Sequence, residues 1–131
     1  MKECIFCNIV EDGDQTIVVQ NETCYYIKKK SEQKILEGSG LIIPKTHREN
    51  VFELTEKEWR DTRELLLRAK ELLGDVYQPD GYSVGWNTGE AGGQSIPHAH
   101  LHVIPRFADE PHAYKGIRYW LKQPENKRAK A

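Results

Sequence analysis

The segment PHAHLHVIP, residues 97–105, places histidines and apolar residues at alternate positions. Side chains alternate between the two faces of a β-strand, so the pattern predicts a strand with two chemically different faces. One face carries His98, His100, His102 and Ile104, and the other carries Ala99, Leu101 and Val103. The apolar set is expected to pack on a helix, which leaves the imidazoles lining a surface or cleft. Imidazoles buried together desolvate and repel one another, so their alternation indicates chemistry or metal binding.

Short β-branched and aromatic runs predict the other strands of a sheet. They lie at residues 16–20, 23–27, 41–44 and 81–87, and the first two predict a hairpin. A long helix is predicted to begin at Thr55, because Thr55 and Glu58 have the spacing of a capping box. Gly74 is expected to end this helix. We therefore predict an α+β fold in which one long helix packs on an antiparallel meander sheet.

Length and charge limit the classes of protein that the chain fits. At 131 residues it predicts a single domain, residues 1–131, in which residues 124–131 form a solvated tail. Its 19 basic and 20 acidic residues give a net charge of −1, so no overall attraction to nucleic acid or membranes is expected. The sequence has no long apolar run or signal-like N-terminus, and we expect a cytoplasmic location.

Cysteine is scarce and odd in number. The chain contains Cys4, Cys7 and Cys24, which does not suit a secreted disulfide framework. The Cys4-x-x-Cys7 pair therefore indicates metal binding or redox chemistry. Cys24 is expected to be a small apolar residue of a strand.

The histidine alternation is compatible with two kinds of chemistry. In one, the imidazoles converge on a catalytic zinc ion that also binds water. In the other, one imidazole attacks phosphorus and forms a covalent intermediate. The preceding Gly92-Gly93-Gln94-Ser95 loop is expected to supply free backbone N–H groups and a hydroxyl, which suit a phosphate better than a bare metal.

The run GGQSIPHAHLHVIPR closely resembles the signature of the histidine-triad (HIT) family of nucleotide hydrolases and transferases. In that signature, a Gly-Gln-Ser or Gly-Gln-Thr loop precedes histidines that are separated by single hydrophobic residues. The resemblance extends to CIFCNIV near the N-terminus and to LIIPKTH before the helix. The chain looks nearest to the bacterial branch described as dinucleoside-polyphosphate-hydrolase-like.

The resemblance implies a residue-by-residue assignment of the site. His100 matches the nucleophile, which attacks the α-phosphorus and gives a nucleotidyl-histidine intermediate. The matched phosphate-binding positions are Asn87, Gly93, Gln94, Ser95 and His102. The implied substrate is a dinucleoside polyphosphate or a nucleoside phosphoramidate, the chemistry requires no cofactor, and the protein is expected to be a homodimer.

The resemblance also implies a structural zinc site. Some family members bind zinc through an N-terminal Cys-x-x-Cys, the histidine of a Pro-Lys-x-His segment and the first histidine of the triad. The matching residues here are Cys4, Cys7, His47 and His98. Zinc would tie the N-terminus to the histidine strand and orient His98.

The chain departs from the family pattern in residues 28–40, KKKSEQKILEGSG. Most members have an aspartate there that binds the ribose hydroxyls, whereas this chain has Lys28, Lys29, Lys30 and Lys34. These lysines form a solvated loop or meet a longer phosphate chain or an acidic substrate. The ribose contacts of the family therefore do not transfer. Trp59 and Trp86 are expected to pack in the core, and Tyr119 and Trp120 are expected to be packing residues rather than substrate contacts.

Two alternatives to a nucleotide hydrolase remain open from the sequence. One is a metalloenzyme in which His98, His100 and His102 jointly bind a catalytic metal. The other is a nucleotide-binding protein with little turnover, which the altered ribose segment supports.

Overall fold

The strands form where β-branched and aromatic residues recur, and they assemble into one antiparallel sheet. The computed structural model of the protein describes residues 3–129. Its strands and helices are β1 Gln15–Gln20, β2 Cys24–Lys29, β3 Gly40–Pro44, α1 Glu56–Tyr77, β4 Gly81–Trp86, β5 Leu101–Arg106 and the short α2 Arg118–Leu121. The predicted α+β fold with one long helix is confirmed.

The sheet order is β1-β2-β3-β5-β4, and all neighbouring strands are antiparallel. The chain runs as a meander from β1 to β3. Helix α1 then carries it to the far edge, and β5 returns between β3 and β4. The histidine strand therefore lies inside the sheet, with a partner strand on each side.

The two faces of the sheet differ in what covers them. On the helix face, Leu101 and Val103 pack with Leu65, Ala69 and Leu73 of α1 in one buried cluster. The opposite face, here called the histidine face, carries Leu41 and His102, which are paired across β3 and β5. The N-terminal segment covers part of this face, because Phe6 and Ile9 pack on Ile27 and Ile43.

Helix α1 begins as predicted and ends later than predicted. Thr55 accepts a hydrogen bond from the Glu58 N–H, and the Glu58 side chain accepts from the Thr55 N–H, which completes the capping box. The prediction that Gly74 ends the helix is wrong, since α1 continues to Tyr77. Gln78 takes a left-handed backbone conformation there, with φ of 50°, and its N–H donates to the Gly74 carbonyl.

The histidine strand is shorter than its sequence pattern predicts. Strand β5 begins at Leu101, so His98 and His100 precede it. The Ala99 N–H donates to the Arg48 carbonyl at 2.7 Å, and the His98 N–H donates to the Ile96 carbonyl at 2.8 Å. This part of the backbone bonds to the segment after β3 and to its own turn, rather than to a neighbouring strand.

The tryptophans lie nearer the surface than expected. Trp59 is 47% exposed and packs edge-on against Trp86, with ring centroids 5.9 Å apart, so the prediction that Trp59 is a core residue is wrong. Trp120 is 59% exposed and contacts Tyr119. Cys24 is fully buried in the core, as expected, and burial raises the pKa of its thiol.

The C-terminal tail follows α2 with a short turn at Pro124–Asn126. Residues 130 and 131 of the predicted tail lie outside the described residues. The extent of the domain stays a prediction.

A buried carboxylate ties α1 to the β1–β2 hairpin. Asp61 accepts hydrogen bonds from the Thr23 hydroxyl at 2.6 Å and N–H at 3.1 Å, and Lys57 lies 3.0 Å from its other oxygen. Burial by itself raises the pKa of Asp61, but the hydrogen bonds from Thr23 and Lys57 outweigh it and hold the pKa below its ordinary value. The ionised form therefore stabilises the fold.

We expect Asp61→Asn to lower the free energy of unfolding at pH 7 by about 1 to 3 kcal/mol, because charged hydrogen bonds to a buried group are lost. A native pKa below the unfolded value gives stability that is present above the unfolded pKa, near 4, and is lost as the pH falls through the native pKa. Urea denaturation across this range should show the difference between wild type and variant shrinking. A difference that does not change with pH would contradict this role of Asp61.

Candidate metal site and catalytic cleft

The segment that carries His98 and His100 is held by the chain that leaves β3. The Nε2 atom of His98 lies 2.8 Å from the Pro44 carbonyl oxygen. Because a carbonyl oxygen only accepts hydrogen bonds, Nε2 carries the hydrogen and Nδ1 keeps its lone pair. Burial lowers the pKa of His98, with smaller contributions from His47 and His100, so the neutral form is favoured.

The free Nδ1 of His98 faces two thiols. It lies 3.4 Å from the Cys4 Sγ and 3.5 Å from the Cys7 Sγ, and the His47 Nδ1 lies 3.2 Å from the Cys7 Sγ. One donor atom from each of the four residues lies within 4.8 Å of the others. The structure thus brings together all four residues that the sequence predicted as metal ligands.

The donor set fits a tetrahedral metal ion. Zn–S and Zn–N bonds of about 2.3 and 2.1 Å with tetrahedral angles place sulfur and nitrogen ligands roughly 3.6 Å apart. The sulfur–nitrogen distances given above are close to this value. Burial raises the pKa of the Cys7 thiol, and the adjacent Cys4 adds to the rise. A bound cation would offset this effect by stabilising the thiolate.

His100 forms its backbone hydrogen bond through Nδ1, whereas His98 forms its own through Nε2. It is buried, and its Nδ1 lies 2.8 Å from the His98 carbonyl oxygen, so Nδ1 carries the hydrogen and Nε2 keeps the lone pair. The His100 ring packs edge-on against Phe6 at 5.3 Å and against His102 at 5.0 Å. An imidazole whose Nε2 is free and fixed in this way is suited to nucleophilic attack.

His102 lies on β5, where it pairs with Leu41 on one side and Gly85 on the other. Burial lowers its pKa, and the nearby His100 adds to this effect. Its Nε2 atom is shielded from solvent and has no hydrogen-bond partner within the described chain. A buried polar atom without a hydrogen-bond partner costs free energy, and a bound ligand would satisfy it.

A cavity of about 320 Å³ adjoins His102. Its other lining residues are Ser83, Gly85, Trp86, Asn87, Ile104 and Ile117. The structure therefore brings the predicted phosphate-binding residues Asn87 and His102 to one cavity. The alternation in the sequence places Ile104 beside His102, but no sequence signal identified Ser83, Gly85 or Ile117 as cleft residues.

The glycine-rich loop differs from its prediction in hydrogen bonding. The N–H of Gly93 donates to the Glu90 carbonyl, and the N–H of Gln94 donates to the Gly89 carbonyl. The expectation that these groups are free is wrong for this conformation, because the loop's own turns satisfy them. Their assignment as phosphate contacts stays a prediction.

The Gln94 side chain connects the glycine-rich loop to the neighbouring backbone by hydrogen bonds. Its amide nitrogen donates to the Glu49 and Ile96 carbonyls, and its oxygen accepts from the Gly89 N–H. Ser95 lines a separate cavity of about 610 Å³, together with Cys4 and His47. The structure does not bring Ser95 to the cavity beside His102.

The lysines of residues 28–34 point in different directions. Lys28 lies on the helix face, with its Nζ 5.2 Å from the centre of the Tyr77 ring. The hypothesis that these lysines meet a phosphate chain or an acidic substrate stays a prediction. Burial lowers the pKa of Lys28. The Lys30 Nζ donates to the Gly13 carbonyl. Strand alternation places Lys29 on the histidine face, opposite Gln15 of β1.

A cluster of two thiols and two histidines, followed by alternating histidines in the central part of an antiparallel sheet, is typical of histidine-triad proteins. The model of the HIT domain family matches residues 11–109, and the chain belongs to this family. The adenosine 5'-monophosphoramidase hnt1 of Schizosaccharomyces pombe is 32% identical over 82% of this chain and 77% of that protein.

Solved structures show the same fold. A member of the HIT family from Bacillus subtilis is 33% identical and has a TM-score of 0.72, covering 82% of this chain and 75% of that one. A Zn-bound histidine triad family protein from Mycobacterium smegmatis is 25% identical and has a TM-score of 0.69, covering 86% of this chain and 81% of that one. In the chain from residue 3 to residue 129, no helix has the length and hydropathy needed to cross a membrane.

Proposed function

We propose that the protein hydrolyses a nucleoside 5'-phosphoryl bond through a covalent nucleotidyl intermediate on His100. The observation that carries the proposal is the hydrogen bond from His100 Nδ1 to the His98 carbonyl, which leaves the Nε2 lone pair free for attack. His102 and Asn87 line the adjoining cavity, which supports a role for them in binding the oxygens of the phosphoryl group. The related phosphoramidase supports the same class of reaction.

The reaction has two steps. In the first step, the Nε2 lone pair of His100 bonds to the α-phosphorus, and the bond from phosphorus to the leaving group breaks. The leaving group departs with the bonding electrons and takes a proton from water. In the second step, a water oxygen bonds to phosphorus and the water loses a proton to solvent. The P–Nε2 bond breaks with its electron pair returning to Nε2, and the nucleoside monophosphate is released. Imidazole suits both steps because it is a nucleophile when neutral and a good leaving group from phosphorus.

The metalloenzyme alternative has less support from the geometry. His98 directs Nδ1 to the cysteines, and His100 commits Nδ1 to a carbonyl oxygen. Between residues 3 and 129, the cluster of metal-ligating groups is formed by Cys4, Cys7, His47 and His98, and it omits His100 and His102. The three histidines therefore do not converge on one ion.

We expect His100→Ala to reduce turnover of an adenosine phosphoramidate or a dinucleoside polyphosphate by at least about 1,000-fold, because the nucleophile is lost. Mass spectrometry of wild type quenched during turnover should detect a nucleotidyl group on His100. His112→Ala is the matched control, since His112 is exposed and lies outside the cleft. Full turnover by His100→Ala would contradict the mechanism. Nucleotide binding by wild type without adduct or product would indicate a binding protein.

We also propose that Cys4, Cys7, His47 and His98 bind a structural zinc ion. The sulfur and nitrogen donors and their mutual distances support this, as does the Zn-bound relative. Bound zinc would hold His98 in place and thereby the carbonyl that bonds His100. The ion supplies structural stability, because the free energy of binding adds to the free energy of folding.

Metal analysis of protein purified without chelator should find about one zinc per chain. Cys4→Ser should lose the zinc and lower Tm by roughly 10 °C or more, because the ligands of a metal site are also contacts of the fold. Cys24→Ser is the control, because Cys24 is a buried thiol outside the cluster. Wild-type protein without zinc would overturn the assignment.

A homodimer is supported by the exposed edge of the sheet beside α1. Within the described sheet, β4 pairs only with β5, and its free edge lies next to an apolar groove lined by Trp59, Leu66, Val84 and Trp86. The other edge strand, β1, has a register shift between Ile17 and Val19. Such irregularities discourage edge pairing. A second copy can pair antiparallel with β4 about a two-fold axis.

We expect Val84→Lys to convert a dimer to a monomer, because it places a charge in the apolar interface. Sedimentation velocity or light scattering measures the change in mass. Val18→Lys on β1 is a matched control, since Val18 and Val84 are 38% and 39% exposed. A dimer that is unaffected by Val84→Lys but dissociated by Val18→Lys would place the interface at the other edge.

A further inference from the structure

Most of the buried polar atoms without a hydrogen-bond partner belong to the histidine face. Within residues 3–129, the side-chain atoms of this kind are Gln15 Oε1, Tyr26 OH, Ser39 Oγ and His102 Nε2. Tyr26 belongs to the core under α1. Such atoms cost free energy unless water or a ligand satisfies them, so a group of them on one face indicates a site for a polar ligand.

Gln15 lies on the histidine face beside a lysine. It is directly opposite Lys29 across β1 and β2, and residues opposite one another share a face of the sheet. The same two strands pair Ile17 with Ile27, which packs under the N-terminal segment on the histidine face. Because side chains two residues apart in a strand also share a face, Gln15 and Lys29 both point to the histidine face.

Ser39 adjoins Lys29 just before β3. The side-chain nitrogen of Gln33 donates to the Lys29 carbonyl at 3.0 Å and to the Ser39 carbonyl at 3.1 Å, which holds the two residues together. A Cβ atom built on Gly40 would lie 2.8 Å from the Cε1 atom of Tyr26, in the core of the helix face. Adjacent residues of an extended chain point to opposite faces, so Ser39 points to the histidine face. Ser39 is 4% exposed.

Lys29 is the cation of this row. It is exposed, and within the described chain no ion pair or hydrogen bond involves its Nζ. Asp14 is close, but its carboxylate accepts hydrogen bonds from the Ser31 hydroxyl and N–H. The Ser31 hydroxyl is the main reason that the pKa of Asp14 lies below its ordinary value, and Lys29 contributes less. The Lys30 ammonium group donates to the Gly13 carbonyl instead.

The position of Lys29 relative to His102 follows from the register of the sheet. Strand β3 lies between β2 and β5, and Lys29 is two residues beyond Ile27, which pairs with Leu41, the partner of His102. With strands about 4.8 Å apart and a rise of about 3.3 Å per residue, the Cα atoms of Lys29 and His102 are roughly 12 Å apart. Both side chains stand on the same face, and together they leave room for one sugar between the ammonium group and the imidazole.

The sheet surface between these two residues carries no charge. Strand β3 and the residue before it present Leu41 and Ser39 there. A polyphosphate chain laid across Leu41 would lose hydration from several charges without gaining a cation, which is unfavourable. A sugar and a base are uncharged and can pack on an apolar side chain. The surface therefore favours a nucleoside at this place, with a separate anionic group that reaches Lys29.

We propose that Lys29, with Gln15 and Ser39 beside it, binds a phosphate on the 2'- or 3'-hydroxyl of the substrate's ribose. The substrate class is then a nucleotide that is phosphorylated on the sugar as well as at the 5' position. The ammonium group supplies the charge, and the Ser39 hydroxyl and the Gln15 NH2 group, after rotation of the amide, donate to the phosphate oxygens. This inference rests on the proposed hydrolase function and specifies the nucleotide class of the same site.

The test measures binding by calorimetry at about 0.15 M salt, which screens non-specific attraction. The ligands are AMP, ADP, adenosine 2',5'-bisphosphate and adenosine 3',5'-bisphosphate. One of the bisphosphates should bind wild type at least about 10-fold more tightly than AMP, because a charge-assisted hydrogen bond to a phosphate contributes about one power of ten in affinity. Lys29→Ala should remove this difference and leave the affinity for AMP unchanged. The two bisphosphates distinguish the 2' position from the 3' position.

Lys30→Ala is the matched control, because Lys30 is also exposed and directly follows Lys29 in the chain. It should retain the wild-type ratio of affinities. Equal affinity of wild type for AMP and both bisphosphates would overturn the inference, as would an equal loss of the ratio in Lys29→Ala and Lys30→Ala. Tighter binding of ADP that depends on Lys29, without a gain for either bisphosphate, would instead assign Lys29 to a phosphate chain.

Turnover separates this inference from the proposed function. Adenosine 5'-phosphoramidate is compared with its 2'- and 3'-phosphorylated counterparts, and wild type should have a higher kcat/KM for one of the phosphorylated compounds. Lys29→Ala should remove the gain mainly through KM. Turnover without any gain from the ribose phosphate would refute the subsite. Absence of turnover and of an adduct on His100 with all three compounds, together with Lys29-dependent binding of a bisphosphate, would refute the hydrolase function and support the subsite.

Discussion

Two backbone carbonyl groups determine what the first two histidines of the triad can do. The Pro44 carbonyl accepts from His98 Nε2, and the His98 carbonyl accepts from His100 Nδ1. The two imidazoles are thereby fixed as opposite tautomers, with the lone pair of His98 toward the cysteines and that of His100 on Nε2. His98 therefore belongs to the cysteine–histidine cluster, whereas His100, two positions later, has the free Nε2 of the proposed nucleophile.

These tautomers depend on the position of the backbone at residues 98–100, which the helix N-terminus helps to fix. The Arg48 carbonyl accepts a hydrogen bond from the Ala99 N–H, and the Arg48 side chain forms an ion pair with Glu58 at 3.0 Å. Glu58 also closes the capping box with Thr55. The start of α1, the segment after β3 and the histidine segment therefore form one connected set of hydrogen bonds. Because Glu58 is buried, removing its partner Arg48 would leave a charge without compensation.

Local patterns in the sequence predicted most of the fold, whereas the resemblance to the family predicted the composition of the cysteine–histidine cluster. The capping box, the hairpin and the apolar face of β5 follow from residue spacing, and they are present in the structure. The family signature, rather than spacing, linked Cys4 and Cys7 to His47 and His98. The true end of α1 was not predictable from Gly74, because Gln78 takes the left-handed conformation that terminates the helix.

Contacts between distant segments account for what the sequence did not predict. The late start of β5, after His98 and His100, depends on a hydrogen bond from the Ala99 N–H to the Arg48 carbonyl, between residues that are 51 positions apart in sequence. Ile117 lines the cavity from the segment after β5, where the Arg106 guanidinium donates to the Lys115 and His112 carbonyls, and such contacts leave no periodic signal in the sequence. Lys28 was grouped with its neighbours by charge, but strand alternation places it on the helix face beside Tyr77.

The closed hydrogen bonding of the glycine-rich loop determines how an anion can enter the site. The Gly93 and Gln94 N–H groups already donate within the loop, and each such bond contributes about 0.5 to 1.5 kcal/mol net. Opening both would cost roughly 1 to 3 kcal/mol, whereas hydrogen bonds to a charged phosphate are about twice as strong as neutral ones. The exchange is therefore favourable only after a phosphoryl group has arrived. In the proposed mechanism, His102 and Asn87 bind the phosphoryl group without rearrangement of the loop backbone, so contact with them is expected to precede any contact with the loop.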